Sequence, residues 1–454
     1  MEKGTTVGSK KIAALFDAGT FVETGAYIKR SGDELTGVVC GYGAIGGKLV
    51  YAFSQDSDRK KGAFDAPQAN KIAMLYSMAM KNGAPVIGMF DSAGAVLCDG
   101  SSAMSAYGKL LKVVSDASGV IPQIAVITGV CAGMAATVAA MFDITVTVQD
   151  VSKLFVNAPF VVGKEIGDCD AVAQNGLSSV TAATEADAFD TVAKLIAWLP
   201  SNNAEGVVAE EITDDLNRKV SVEGVSGKAL VEAIADLGNV VELGEGYAPE
   251  MLTALACFGG VTCGVVANNS AENGGVITVD GARKAAKMVA FCDSFSIPVV
   301  TLVDSVGVVC SKEAENAPLA SQLAKLSMAY ASADTAKITA VVGKAYGAAF
   351  TLMGSKALGA DMVYALPTAE ISVMDPASAV AFLWNDRITE KVSRADLEKE
   401  WKETNASATA AAADGSIDDV VDAAELRQRI CAAVYMLLMK NEGTPARKHC
   451  NLPL

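Results

Sequence analysis

The chain repeats itself once, and this duplication constrains the fold more than any other feature of the sequence. Five blocks of the first half recur in the second half, in the same order and at nearly constant spacing. The match is clearest where DSAGA (91–95) aligns with DSVGV (304–308). Chance does not easily produce five ordered matches, so we predict two copies of one domain, residues 1–230 and 231–454, divided within a polar stretch.

Each half shows the alternation of strands and helices that is typical of an α/β domain. Pro85–Phe90 and Gln123–Thr128 are short, nearly continuous apolar runs, as expected of strands buried on both faces of a parallel sheet. Each run ends in a glycine-containing turn that a helical segment follows. Parallel strands joined through helices require right-handed crossovers. The predicted fold class is therefore α/β, built twice.

One uncharged stretch, residues 119–142, is long enough to suggest a membrane span. Pro122, Gly129 and Gly133 interrupt it, and the matching stretch of the second half carries Lys344 in its middle. A charge at that depth is costly in a bilayer. We therefore interpret both stretches as a buried strand, a glycine turn and a buried helix.

Charge and cysteine usage exclude several classes of protein. The net charge of −15 disfavours binding to a nucleic-acid backbone. The 10 cysteines include no CxxC pair, which favours reduced core thiols over a zinc ribbon. The N-terminus lacks an apolar segment followed by a cleavage site. We predict a cytoplasmic protein without a metal site.

The paired glycine turns are the candidate functional sites. A strand that ends in a small-residue turn and opens a helix leaves backbone N–H groups unpaired, with the helix dipole behind them. Such a turn can stabilise a developing oxyanion, for example the enolate oxygen of a thioester. The alternative interpretation is that these glycines only allow helix and sheet to pack closely.

Side-chain chemistry is sparse. The only histidine, His449, lies near the C-terminus, which argues against Ser-His-Asp, Cys-His and histidine–metal mechanisms. No P-loop motif is present. Asp91 and Asp304 are candidate bases for a related CoA lyase or isomerase, although we favour a structural role in capping the following helix. Lys344 either forms an ion pair, extends its charged end to water or supports an anionic ligand.

These motifs resemble the carboxyltransferase β family of biotin-dependent enzymes. That family includes propionyl-CoA and acetyl-CoA carboxylase β subunits and the carboxyltransferase subunits of methylmalonyl-CoA and glutaconyl-CoA decarboxylases. The resemblance covers nearly the whole chain. The segments that carry it include LFDAGTFVE (15–23), GAPVIGMFDSAGA (83–95), LPSNNAE (199–205), GKAYGAAFTLMGSKALGAD (343–361), LPTAEISVMDP (366–376) and ARKHCNLPL (446–454).

The resemblance implies a tandem duplication of a crotonase-like (ClpP/crotonase) domain, with an acyl-CoA in the N-terminal copy and biotin in the C-terminal copy. It implies transfer of a carboxyl group to or from the α-carbon of a short acyl-CoA, through an enolate held in two oxyanion holes. The implied catalytic residues are Gly133, Met134, Ala348 and Ala349. The implied acyl-CoA contacts are Ala93, Gly94, Ala95 and Thr351, and the implied biotin contacts are Gly307, Tyr346 and Gly347.

The same resemblance implies partners. No biotinyl-lysine context occurs in the chain, so biotin is expected on a separate carrier protein. A biotin carboxylase or a membrane decarboxylase pump subunit would complete the complex, and a pump subunit would hold the chain at the membrane surface. The expected assembly is a homo-oligomer, a trimer of dimers, in which the two domains meet across the dimer interface.

The chain departs from the family pattern at several turns. Val96 stands where the family usually has arginine, Met134 where glycine is usual, and KHCN replaces KHGN. Two explanations remain open at this point. The substrate is divergent, or the chain is a non-catalytic or half-active scaffold subunit beside a more typical paralogue. The acyl chain length and the direction of transfer also stay open.

Overall fold

The computed structural model describes residues 6–31, 34–163, 166–441, 451 and 453. His449 and most of the tail motif 446–454 lie outside the described residues. The chain forms two compact units, Met1–Gly206 and Val207–Leu454. This boundary lies earlier than the predicted division into 1–230 and 231–454. The segment that follows Gly206 pairs with unit 2, where Ala209 bridges Val261. The polar stretch 214–228, which suggested the later boundary, also packs with unit 2, through the ion pair of Asp214 with Arg427.

Unit 1 contains ten strands and seven helices among its described residues. The strands are β1 Val22–Thr24, β2 Lys29–Ser31, β3 Glu34–Leu35, β4 Val38–Ile45, β5 Lys48–Gln55, β6 Val86–Ser92, β7 Gln123–Ala132, β8 Ile144–Val148, β9 Lys153–Phe155 and β10 Val180–Ala182. The helices are α1 Val7–Leu15, α2 Ala66–Asn82, α3 Ser101–Ala117, α4 Met134–Ala139, α5 Pro159–Val162, α6 Cys169–Gln174 and α7 Glu185–Trp198.

Unit 2 repeats this succession and extends it before its last strand. Its strands are β11 Val240–Glu242, β12 Met251–Phe258, β13 Val261–Asn268, β14 Val299–Ser305, β15 Lys337–Tyr346, β16 Met362–Ala365, β17 Glu370–Ser372 and β18 Asp419–Val420. Its helices are α8 Gly227–Ile234, α9 Val279–Ser294, α10 Lys312–Asn316, α11 Leu319–Ser332, α12 Ala348–Leu352, α13 Pro376–Leu383, α14 Arg394–Asn405, α15 Ala408–Ala413 and α16 Leu426–Leu437.

The two main sheets have the same strand order. In unit 1 the order is β1-β4-β5-β6-β7-β8-β10, with β9 added against β7, and in unit 2 it is β11-β12-β13-β14-β15-β16-β18, with β17 added against β15. An antiparallel hairpin forms one edge, and the strands from β5 and β13 onward are parallel. The predicted α/β fold and its tandem duplication are confirmed, and the second repeat continues strand by strand.

The central strands are long, apolar and buried, as their sequences predict. Every residue of β12 and β13 is buried, and so are nearly all residues of β6 and β14. Long helices cover the sheets, with α2 packing on α3 in unit 1 and α9 on α11 in unit 2. The same register shift occurs in both units, between Phe90 and Ser92 and between Val303 and Ser305. It lies where the central strands end and the glycine turns begin.

The uncharged stretch 119–142 forms strand β7, a turn and helix α4, as predicted. Within the part of the chain that the structure describes, no helix combines the length and apolar character needed to cross a membrane. The described cysteines are free thiols, and all of them are buried except Cys98 and Cys310.

A buried ion pair anchors the last helix of unit 2 to the start of that unit. The Arg427 guanidinium, which has no exposed surface, lies 2.6 Å from an Asp236 carboxylate oxygen and 3.2 Å from Asp214. Arg427 also donates a hydrogen bond to the Ile234 carbonyl at 2.9 Å. Asp236 in turn accepts hydrogen bonds from the amides of the β12–β13 turn. Helix α16 and the hairpin are therefore held by one charged cluster.

Candidate functional site

The first turn of unit 1 follows β6, and two of its three predicted acyl-CoA residues have occupied amides. The Ala93 N–H donates to the Lys61 carbonyl at 3.0 Å, and the Gly94 N–H donates to the Ser92 hydroxyl at 3.2 Å. The Ala95 N–H has no hydrogen-bond partner within the described residues. Of the three, Ala95 therefore has the amide that is available to a ligand.

The second turn of unit 1 follows β7 and opens helix α4. Gly133 has φ 65° and ψ −132°, a conformation that only glycine adopts readily. Its N–H donates to the Phe155 carbonyl at 2.9 Å, so the predicted donor Gly133 is already occupied. The next amide, that of Met134, has no partner among the described residues, and the Met134 side chain is about one-third exposed.

The two turns of unit 1 are neighbours. Strands β6 and β7 are parallel and adjacent, with Ser92 opposite Cys131 at their carboxyl ends. A Cβ atom placed on Gly94 would lie 3.8 Å from the Ala132 carbonyl oxygen. The available amides of Ala95 and Met134 therefore belong to turns that touch. This is the arrangement that the duplicated sequence pattern predicts.

Unit 2 repeats the arrangement bond for bond. The Gly307 N–H donates to the Ser305 hydroxyl at 3.2 Å, as Gly94 does to Ser92 in unit 1. Gly347 has φ 55° and ψ −131°, and its N–H donates to the Ser372 carbonyl at 2.8 Å. The amides of Val308 and Ala348 have no partner among the described residues. Of the predicted pair Ala348–Ala349, Ala348 is exposed and Ala349 is fully buried.

A pocket of about 600 Å³ opens beside the Gly347 turn. It collects three residues that the sequence analysis assigned to the site, Gly347, Ala348 and Thr351. Its remaining walls come from β17, α14, α15 and the segment that follows α15. The full lining is Gly347, Ala348, Phe350, Thr351, Ile371, Ser372, Val373, Thr404, Asn405, Ala410, Ala411, Asp414 and Ser416.

Tyr346 does not line this pocket. Its ring is buried, and its hydroxyl forms a hydrogen bond with the Glu370 carboxylate. Burial and this carboxylate raise the pKa of the Tyr346 hydroxyl. Burial alone would raise the pKa of Glu370, but hydrogen bonds from Tyr346 and Lys402 hold it below its usual value. The predicted contact between Tyr346 and biotin stays a prediction.

A residue that the sequence analysis missed holds Ser372, one of the residues that line the pocket. The Trp401 indole N–H on α14 donates to the Ser372 hydroxyl at 3.1 Å. Ser372 is the residue whose carbonyl holds the Gly347 N–H. Trp401 also packs edge-on against Trp384, with ring centroids 4.9 Å apart. The sequence did contain a signal for this residue, because Trp401 lies in a segment that only the second half contains.

The carboxylates of Asp91 and Asp304 contact neighbouring elements, helix α1 and strand β15, and do not cap the helices that follow them. Asp304 accepts a hydrogen bond from the Lys344 backbone N–H at 2.8 Å, and Asp91 lies 3.4 Å from the Lys11 ammonium. The Asp304 carboxylate occupies the space where a side chain on Gly343 would stand, and the Asp91 carboxylate occupies the corresponding space at Gly129. These contacts favour a structural role over general-base catalysis.

Lys344 is exposed, although most residues of the strand around it are buried. Of the alternatives drawn from the sequence, this exposure fits a charged end that extends to water. On the strand, Lys344 lies opposite Glu370 of β17 and contributes to the low pKa of that carboxyl. Cation support for an anionic ligand remains a possible role of this side chain.

A model of the carboxyl transferase domain matches residues 1–452. The chain is 35% identical to methylmalonyl-CoA decarboxylase subunit alpha of Propionigenium modestum, over 99% of this chain and 94% of the relative. It is 34% identical to the propionyl-CoA carboxylase beta chain of Saccharopolyspora erythraea, over 100% of this chain and 91% of the relative.

Solved structures give the same result. Transcarboxylase 12S, a hexamer assembly solved with methylmalonyl-CoA and methylmalonic acid bound, superposes with a TM-score of 0.93 at 32% identity, covering 98% of this chain and 92% of its own. A single-chain, multi-domain long-chain acyl-CoA carboxylase shares the fold, with a TM-score of 0.80 at 23% identity, over 94% of this chain and 46% of its own. The family model, which covers nearly the whole chain, and the two relatives show that the chain belongs to the carboxyl transferase family.

Proposed function

We propose that this carboxyltransferase moves a carboxyl group between biotin on a separate carrier protein and the α-carbon of a short acyl-CoA. The observation that carries the proposal is the repeated pair of available amides, Ala95 with Met134 and Val308 with Ala348. Each pair belongs to two touching turns that carry no acidic or basic side chain at those positions. The relatives are named for methylmalonyl-CoA and propionyl-CoA, which supports a short acyl group.

The amides of unit 1 would bind the thioester oxygen. As the α-carbon loses a proton or a carboxyl group, negative charge develops on that oxygen. Two preorganised N–H donors stabilise it without reorganising at the moment of reaction. Glycine at position 133 gives the turn its shape, while Met134 supplies the donor, so the methionine side chain does not abolish the predicted function.

The amides of unit 2 would bind the ureido oxygen of biotin. When bound, biotin supplies the ureido nitrogen that carries the carboxyl group and accepts the proton. The Gly347 pocket fits such a ring, since it combines apolar walls at Phe350 and Val373 with a hydroxyl group at Ser372. The role of the chain is to orient both partners and to supply the backbone donors.

A scaffold subunit is the second candidate function, and Val96 motivates it. Val96 is buried, so the position where the resembled family carries arginine contributes a core side chain here. The retained turn geometry of unit 1 weighs against the loss of activity.

The proposed partners are a biotin carrier protein and either a biotin carboxylase or a membrane pump subunit. The proposed assembly is a trimer of dimers, supported by the hexamer of transcarboxylase 12S. Exposed apolar side chains on short helices fit such burial in an oligomer. They are Phe160, Val161 and Val162 on α5 and Phe382 and Leu383 on α13. The cytoplasmic location expected from the sequence belongs to the same proposal.

The experiment is decarboxylation of methylmalonyl-CoA and malonyl-CoA in the presence of free biotin. We expect CO2 release that depends on biotin and on a CoA ester. A chain that releases no CO2 and binds no CoA in calorimetry would favour the scaffold function. A chain that binds CoA and releases no CO2 under these conditions would contradict the proposed carboxyl transfer.

Trp401 is expected to act as a positioning residue for the Gly347 turn. Trp401→Phe removes the N–H that holds Ser372, whose carbonyl holds Gly347. We expect kcat of the biotin-dependent reaction to fall about tenfold, the effect of losing one buried hydrogen bond, with little change in KM for the CoA ester. The matched control is Trp384→Phe, because the Trp384 indole donates no hydrogen bond within the described residues. Equal losses of kcat in the two variants would contradict this role.

A further inference from the structure

A loop of unit 1 holds two lysines in a backbone conformation that lysine rarely adopts. Lys60 has φ 48° and Lys61 has φ 53°. In this left-handed region the Cβ atom crowds the backbone of any L-residue, and only glycine, asparagine and aspartate adopt it routinely. The corresponding turn of unit 2 has Asn273 at φ 48° and Gly274 at φ 66°. The two copies therefore share one backbone shape, and only unit 1 uses residue types that strain it.

Backbone contacts fix this loop directly against the first turn of unit 1. The Lys61 carbonyl accepts the hydrogen bond from the Ala93 N–H at 3.0 Å. The Gly62 backbone is so close to Asp91 that an added Cβ would lie 1.8 Å from the Asp91 carbonyl oxygen. The next contact joins the Phe64 N–H to the Gly94 carbonyl at 2.8 Å. The two lysines are thus positioned at the rim of the predicted acyl-CoA site.

No structural task in the unit accounts for the two lysine side chains. The preceding Arg59 is used structurally, since its guanidinium donates to the Thr36 carbonyl at 2.8 Å. Both lysines are exposed. The Lys60 ammonium lies 3.6 Å from the Glu34 carboxylate, a largely exposed and weak pair. Among the described residues no carboxylate pairs with Lys61. When strained residues carry side chains that have no role in the fold, the strain is a reason to look for a ligand.

We propose that Lys60 and Lys61 bind the phosphate groups of the CoA part of the substrate, an inference that rests on the proposed function. A CoA ester is a polyanion, and a chain of net charge −15 repels it unless positive charge stands close to the site. Lysine ammonium groups on flexible stems suit phosphate, because they bind it as point charges from several directions. Since the loop adjoins the oxyanion turn, the pantetheine arm must bend back toward it.

The test gives unit 1 the loop sequence of unit 2, as the variant Lys60→Asn/Lys61→Gly in the full chain. We expect CoA to bind about tenfold more weakly at low ionic strength, and this difference to shrink in high salt. We expect the urea midpoint of unfolding to rise, because the strain is relieved. Calorimetry with CoA, dephospho-CoA and pantetheine then separates the 3′-phosphate from the diphosphate, and pantetheine should bind the variant and the parent equally.

Two further variants separate charge from backbone strain. Lys60→Gln/Lys61→Gln should weaken CoA binding to the same extent without raising the urea midpoint. Lys81→Gln/Lys112→Gln, which removes two exposed lysines from α2 and α3, should leave CoA affinity unchanged.

The inference is wrong if the parent binds CoA and the loop variant binds it equally well, or if pantetheine binding weakens as much as CoA binding. A parent chain that binds no CoA would overturn the proposed acyl-CoA site as well. If the lysines instead contact the carrier protein, KM for the carrier will rise while CoA affinity stays unchanged, which also refutes the inference.

Discussion

Replacing Ala348 by proline should lower kcat of the biotin-dependent reaction by about 10²–10³-fold, the usual effect of removing one oxyanion donor. Proline lacks the N–H that Ala348 offers to the pocket. The fold should tolerate it, because Ala348 is the first residue of helix α12, a position where proline is favoured and where the amide has no partner in the helix. The measurement is steady-state kinetics of methylmalonyl-CoA decarboxylation with free biotin.

The same substitution in unit 1, Met134→Pro, decides whether the first turn binds an oxyanion or unit 1 acts only as a scaffold. Met134 is the first residue of helix α4 and offers the corresponding amide. A similar loss of kcat in both variants is expected if both turns bind an oxyanion. Ala348→Ser and Met134→Ala keep the N–H and should stay within a few-fold of the parent. If Met134→Pro remains fully active while Ala348→Pro is inactive, the first turn has lost its role.

Replacing Arg427 by methionine should lower the free energy of unfolding by about 3–5 kcal/mol, since it leaves the buried Asp236 carboxylate without its cation. Asp236 is 1% exposed, so its carboxylate cannot recover its hydration in the folded chain, whereas Asp214 keeps its ion pair with Arg218 at 3.0 Å. The measurement is urea denaturation followed by circular dichroism.

Arg429→Met is the matched control for this prediction. Arg429 lies on the same helix, is 47% exposed and lies 4.0 Å from Glu425. Losing an exposed pair of this kind costs less than about 1 kcal/mol. Comparable destabilisation by the two substitutions would show that the buried cluster has no special importance.

The repeat predicted most of the fold and the location of the turns. Hydrophobic periodicity marks buried strands, and the matched glycines mark where the strands end, because both signals are local in sequence. Which amide in each turn is available was not predictable in this way. The Gly133 and Gly347 amides are occupied by carbonyls of Phe155 and Ser372, which strands β9 and β17 bring back to the turns.

Other features were missed because they depend on tertiary contacts. The unit boundary at Gly206 follows from pairing of the next segment with β13, which composition does not reveal. Lys344 is exposed although most residues of β15 are buried, a difference that the apolar sequence around it does not reveal. Trp401 and the pocket residues Thr404 and Asn405 belong to a helix, α14, with no counterpart among the described residues between β9 and β10.

That extra helix has an evolutionary consequence. Between β17 and β18 unit 2 has α13, α14 and α15, whereas the described part of unit 1 has only α5 and α6 between β9 and β10. The duplicated turns thus share the same donor geometry, while unit 2 has additional helices that line its pocket. Mutations in α14 can reshape the pocket of the second copy without altering the backbone of its glycine turns, so pocket shape and turn geometry can diverge independently within one polypeptide.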